Sequence, residues 1–142
     1  MQSNKSRDTR PEILVRKLLH AAGLRYRIHT PAAPDMTQKL DIVFRPARVA
    51  VEVHGCFWHG CPAHLRLPKA HRPYWAAKIK RNQTRDRETA AQLAAAGWQL
   101  VVVWEHEDPV LAASRIEKLV RSLRRASASP PETATQACPP LP

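Results

Sequence analysis

The chain has 142 residues, and its 23 Lys and Arg stand against 12 Asp and Glu, a formal net charge of +11 at pH 7. That length bounds it to one modest domain with a single core, and the charge favours an anionic polymer as partner without specifying a fold. No apolar run approaches the roughly 20 residues that span a bilayer and no secretory h-region is recognisable, and Cys56 and Cys61 in one cluster with Cys138 alone argue against a disulfide scaffold, so a cytoplasmic protein is expected.

Residues 1–6 form a short polar arm. Thr9-Arg10-Pro11-Glu12 has capping-box spacing with Pro in the first turn, and Ile13, Leu14, Leu18 and Ala21 or Ala22 offer an apolar face before Gly23, which together predict a helix. Glu12 then has a plain role, reaching back to the Thr9 amide. Leu24 to Ile28 alternates as a short strand, and His29 to Lys39, with Pro31 and Pro34, reads as a loop. His20 and His29 lack a supporting constellation and are read as structural or surface residues.

The stretch LDIVFRPARVAVEVHGCFWHGCPAH, residues 40–64, organises the chain. Leu40 to Phe44 and Val49 to Val53 are strand-forming runs, with Arg45 to Arg48 as the turn between them. Asp41 and Glu52 lie inside these runs, where a carboxylate is costly to bury unless it is paired, hydrogen-bonded or metal-bound. Carboxylates on adjacent strands can converge on a divalent cation in a phosphodiesterase; the plainer reading puts Glu52 on a solvated edge and Asp41 in a turn. Downstream, Cys56, Cys61 and His64 are spaced C-x4-C-x2-H, three donors suited to zinc, with His106 as the best remote fourth ligand closing a structural site. The plainer reading is two reduced, buried cysteines beside ordinary loop histidines.

Pro73-Tyr74-Trp75 opens a predicted long helix through Ala95, ended by Gly97. Seven Lys or Arg and one acid, Asp86, fall between Lys69 and Arg87. A charge run is usually a solvated face, but beside aromatics and a phosphodiesterase site it reads as DNA backbone contact, with Lys78, Lys80 and Arg81 preferred; Arg85 and Asp86 are read as structural polar contacts. Leu100 to Trp104 is the cleanest buried-strand pattern, with Trp98 and Trp104 as packing residues. A last helix follows Asp108-Pro109, with Leu111, Ile116, Leu119 and Val120 inward. Residues 126–142 are too poor in packing material to require a fold, so the domain is expected over 7–125, with a disordered Pro/Ser/Thr-rich tail after it.

His54-Gly55-Cys56-Phe57-Trp58-His59, then Tyr74-Trp75, Lys78-Ile79, Asn82, Arg85-Asp86, Gly97-Trp98 and Trp104-Glu105, in this order, resemble the very short patch repair (Vsr) family of DNA mismatch endonucleases, over about Arg7 to Glu107. The resemblance implies an α/β fold, a restriction-endonuclease-like mixed sheet flanked by helices with a structural zinc site. It implies a magnesium-dependent nick 5′ to the thymine of a T:G mispair left by deamination of 5-methylcytosine. Asp41 then matches the magnesium-binding aspartate, and Val53 the residue whose carbonyl helps hold the ion. His59 matches the histidine that activates water, His54 its supporting histidine, and Glu12 an acid drawn in through water and metal. Phe57 and Trp58 match mismatch wedges, and Cys56, Cys61, His64 and His106 the zinc positions, though with Cys/His identities that depart from the best-known pattern. Glu52 matches no required acid. The implied setting is a bacterial chromosome, with double-stranded DNA as partner, functional links to a cytosine-5 methyltransferase and mismatch-repair proteins, and a monomeric protein. The alternatives are a restriction-like nuclease of broader specificity and a noncatalytic, zinc-supported DNA-binding module; the intact Asp41, His54 and His59 favour chemistry.

Overall fold

The computed structural model describes residues 8–63 and 66–128, without the side chains of residues 126–128. The order is α1 (Arg10–Ala21), β1 (Arg27–Thr30), β2 (Leu40–Phe44), β3 (Val49–His54), α2 (Arg72–Ala95), β4 (Gln99–Trp104) and α3 (Pro109–Ala128), the α-β-β-β-α-β-α sequence that the periodicities predict. Among the described residues one four-stranded sheet runs β1-β2-β3-β4. The first two pairings are antiparallel and β3 pairs with β4 in parallel, which requires the long crossover that α2 provides.

The sheet is mixed and flanked by helices, consistent with a restriction-endonuclease-like fold. One face packs Ile42, Phe44, Val49, Val51 and Val103 against Val15 and Leu19 of α1 and Ile116 and Val120 of α3. The other packs Val43, Ala50 and Leu40 against Leu93 of α2, Ala32 and Met36. Truncating a fully buried residue such as Ile116 costs about 2–5 kcal/mol, so the layers hold the strands firmly beneath the site. Among the described residues no helix is long and apolar enough to cross a membrane.

Several expectations shift. The buried stripe of α1 is Glu12, Val15 and Leu19, with Leu14 39% exposed; the apolar pattern misreads the face because an acid holds an inward position. Thr9 makes no side-chain cap, and the Glu12 side chain is turned into the protein. β1 starts at Arg27 and includes His29, which has a left-handed φ of +49°. β4 is an edge strand in which Val103 alone is fully buried, because α2 covers it only in part. On α3, Leu111 is 69% exposed and Ala112 and Ala113 take the inner positions. The helix continues through Ala128, past the boundary expected at residue 125. His64 and Cys138 lie outside the described residues.

Candidate active site and metal centre

Strand alternation puts Asp41 on the face of Val43, and Glu52 and His54 on the face of Ala50. Beyond the apolar cluster beneath α2, that face ends in a polar cleft of about 190 Å³. Asp41, Glu52, Val53, His54 and His59 line it, with Asn82, Arg85 and Asp86 of α2 across from them. β3 is therefore no solvated edge, and Glu52, 8% exposed, belongs to the cleft. Val53 N–H donates to Asp41 Oδ2 at 2.7 Å, aiming the carboxylate along β3. Burial pushes the Asp41 carboxyl above the ordinary carboxylate range; the Val53 N–H opposes this and nearby Glu52 adds to it. Glu12 is raised as well, by burial first and then by Asp41. Crowded oxygen donors that resist ionisation suit a hard divalent cation, which would relieve their repulsion.

The two histidines are held separately. His54 Nε2 lies 2.9 Å from Glu52 Oε2, and His59 Nδ1 lies 2.7 Å from Asp86 Oδ2. The rings stack at 3.9 Å and 8°, and the Trp104 edge meets His54 at 5.2 Å. A neutral His59 that donates from Nδ1 to Asp86 presents Nε2 as an acceptor, the form a general base needs.

The loop after β3 coils back on itself: Cys61 N–H donates to Cys56 O at 2.8 Å and His59 N–H to Gly55 O at 3.2 Å. Gly60, at φ +65°, permits that turn, and a Cβ there would collide with the Gln83 side chain. Cys56, Cys61 and His106 consequently bring their ligand atoms within 4.8 Å of one another. His106 Nδ1 lies 3.1 Å from Cys56 Sγ and 3.7 Å from Cys61 Sγ. The Cys56 thiol is pushed up to about 11, by burial and then by Cys61; a thiophilic cation is what would let two adjacent sulfurs ionise there. The donor set fits zinc, and the cluster joins the loop to the segment after β4.

Phe57, Trp58 and Trp75 form an aromatic triad with centroids 5.1–5.8 Å apart. Lys78 Nζ stands 5.0 Å from the Trp58 centroid and 5.7 Å from that of Trp75, and Asn82 Nδ2 donates to Trp58 O at 2.8 Å. Lys80 and Arg81 are exposed on α2 beside Arg85, which also lines the cleft. The structure thus brings Asp41, Val53, His54 and His59 together, Cys56 and Cys61 with His106, and Phe57 with Trp58, while Glu12 reaches the Asp41 side from α1. Sequence reasoning read Asp86 as a structural polar contact and His29 as a structural or surface residue, gave Trp75 no site role beyond the family motif, and set Glu52 aside.

The first 64 residues match the family model described as DNA mismatch endonuclease Vsr. The type II nicking enzyme V.XorIIP of Xanthomonas oryzae pv. oryzae is 46% identical over 108 residues, covering 75% of this chain and 77% of the relative. V.NmeAIP, a type II nicking enzyme of Neisseria meningitidis serogroup A, is 36% identical over 124 residues, 85% of this chain and 86% of the relative. DNA mismatch endonuclease Vsr of Escherichia coli is 33% identical over 106 residues, 74% of this chain and 66% of the relative.

Proposed function

Because the chain belongs to the Vsr family of DNA mismatch endonucleases, and acts on DNA as an endonuclease, we propose that it makes a magnesium-dependent nick 5′ to the thymine of T:G mispairs arising from 5-methylcytosine deamination. One observation carries this reading. The loop that follows β3 holds Phe57 and Trp58 immediately before His59, so an aromatic surface for unstacked bases adjoins the group suited to deprotonate water. A T:G wobble pair is easier to unstack than a Watson–Crick pair, and wedging costs a few kcal/mol that stacking and phosphate contacts offset.

In this reading Asp41 and the Val53 carbonyl would hold magnesium, and Glu12 would be drawn in through water. When bound, the cation stabilises charge on the phosphoryl oxygens and lowers the pKa of water. His59, oriented by Asp86, takes the proton of the attacking water at Nε2; His54, anchored on Glu52, supports it from the stacked face. Lys78, Lys80 and Arg81 meet the DNA. Cys56, Cys61 and His106 would hold a structural zinc that fixes the loop, with His64, outside the described residues, as the fourth ligand. The protein works as a cytoplasmic monomer on the bacterial chromosome, downstream of a cytosine-5 methyltransferase and alongside general mismatch-repair proteins.

A nicking enzyme of broader DNA specificity is the second reading, favoured by the Xanthomonas and Neisseria relatives, whose names specify nicking and no mismatch. Strand-specific nicking of T:G and T:A duplexes across several flanking sequences separates the two. Cutting confined to the T:G strand supports mismatch repair; equal cutting in every flank overturns it and leaves the broader nuclease.

A further inference from the structure

Glu12 presents a physical problem. Its carboxylate is 2% exposed, and Oε1 has no hydrogen bond within the described protein. A buried carboxylate with no such partner is strongly disfavoured unless something nearby compensates it. The closest nitrogen groups are His29 Nε2, 3.1 Å from Oε1, and Arg16 Nη1, 3.7 Å away. Arg16 also places Nη2 2.9 Å from Asp8 Oδ1, and His29 Nε2 lies 3.2 Å from the same oxygen. Of the two, His29 is the nearer to Glu12. Asp8, Glu12 and His29 bring their ligand atoms within 4.8 Å of one another, but the Arg16 guanidinium already stands among these acids and offsets their charge.

The backbone supplies an independent observation. β1 pairs Ile28 with Ile42 and Thr30 with Leu40, which leaves His29 opposite Asp41. Its φ of +49° is left-handed, a conformation uncommon for non-glycine residues and foreign to a regular strand. A regular strand would not break its conformation here, and this break carries the imidazole to the acids of α1. His29 thus stands between Asp41 on the neighbouring strand and Glu12 on the helix.

We propose that His29 is a positioning residue of the nuclease site, holding the buried Glu12 carboxylate in place beside Asp41. This rests on the reading above in which Asp41 binds the divalent cation. His29 touches neither DNA nor the reacting phosphate; it acts through Glu12. Partners of this kind typically change metal affinity or activity by about 10–100-fold.

The test pairs His29→Asn with His29→Gln. Asn tolerates the left-handed backbone but its amide falls short of Glu12, whereas the Gln amide reaches where Nε2 does. Calcium affinity is measured by calorimetry on the whole protein in the absence of DNA, with Asp41→Asn and Glu12→Gln alongside, and kcat and KM for nicking are measured in magnesium. His29→Asn is expected to weaken calcium binding and kcat by about 10-fold or more with KM for DNA unchanged, and His29→Gln to restore most of both. Combined with Glu12→Gln, His29→Asn should add little. Wild-type calcium affinity and kcat in His29→Asn, equal losses in the Asn and Gln variants, or full additivity with Glu12→Gln each overturn the proposal. If Asp41→Asn leaves calcium binding intact, the metal reading of the cleft fails and this proposal falls with it. If Asp41→Asn abolishes binding while His29→Asn does not weaken it, only the role of His29 fails.

Discussion

His54 and His59 lie ring on ring, 3.9 Å apart and 8° from parallel, and each is tied through one nitrogen to its own acid, Glu52 or Asp86. Two imidazoles stacked this closely cannot turn independently, so the acids set the direction in which each remaining nitrogen faces. If Asp86 orients His59 as a general base, Asp86→Asn should remove the charge and unsettle the tautomer while leaving the cleft's shape. The expected loss is smaller than the about 10²–10⁴-fold of His59→Ala, with binding to DNA in calcium near wild type for both. Single-turnover nicking of a central T:G duplex at saturating protein reads the chemical step directly, and wild-type rates in both folded variants would remove His59 from the mechanism.

Asp41 and Glu12 are both held above their ordinary values chiefly by burial. Each therefore binds a proton more readily when folded than unfolded. Their contribution to stability is fully present below the unfolded carboxylate value and is lost as pH rises through the raised folded value. At neutral pH without a divalent cation, Asp41→Asn should accordingly raise the unfolding midpoint and flatten its dependence on pH above the ordinary carboxylate range. Calcium at about one hundred times Kd should add about 2.7 kcal/mol to the wild type and much less to Asp41→Asn. Thermal unfolding across pH, with calcium and with chelator, checks both signs; destabilisation of metal-free Asp41→Asn at neutral pH would contradict the burial argument.

The element order was legible because each element keeps its own hydrophobic period, and Asp41 stood out as an acid inside an apolar strand. Glu52 was harder, since alternation marked it as outward and only the pairing of β3 with both β2 and β4 buries it. Asp86 sits in a charge run on a helix, where nothing local distinguishes the acid that faces His59 from one that faces water. His29 lay beyond reach for a different reason. Its role depends on a left-handed backbone and on contact with α1, and neither leaves a periodic trace.

The loop between Cys56 and Cys61 coils through a few turn hydrogen bonds and a left-handed Gly60 with little core of its own, so the proposed zinc should be a folding element. Cys56→Ser, Cys61→Ser and His106→Ala should each lower bound zinc well below about one per chain and lower the unfolding midpoint, because a thiolate or imidazole is lost from a site that needs four. His64→Ala should do the same, and Cys138→Ser should change neither. Elemental analysis beside thermal unfolding measures both quantities. A wild-type protein purified without chelator and free of zinc would reject the assignment, and an unaffected His64→Ala would mean that the fourth ligand comes from elsewhere.

Lys78 differs from its basic neighbours, because its ammonium lies over the rings of Trp58 and Trp75 whereas Lys80 and Arg81 stand exposed on α2. Phosphate contacts act alike on every duplex, so Lys80→Ala and Arg81→Ala should weaken T:G and T:A binding evenly and each lower the salt slope by about 1. If the aromatic triad wedges beside the mismatch, it acts where stacking is broken. Phe57→Ala and Trp58→Ala should therefore lower the preference for T:G, by roughly the 1–3 kcal/mol that base–aromatic stacking contributes per base. Trp75 packs edgewise on both Phe57 and Trp58, and Lys78 lies over two of the three rings. Trp75→Ala and Lys78→Ala are thus expected to erode discrimination as well, and Lys78→Ala to do so more than Lys80→Ala at equal loss of overall affinity. Nicking of T:G, T:A and C:G duplexes at about 50 and about 150 mM salt separates the effects, since high salt suppresses the phosphate contribution and leaves the stacking contribution in view. If Lys78→Ala follows Lys80→Ala at both salt concentrations, Lys78 is a phosphate contact alone and the ring contacts carry no discrimination.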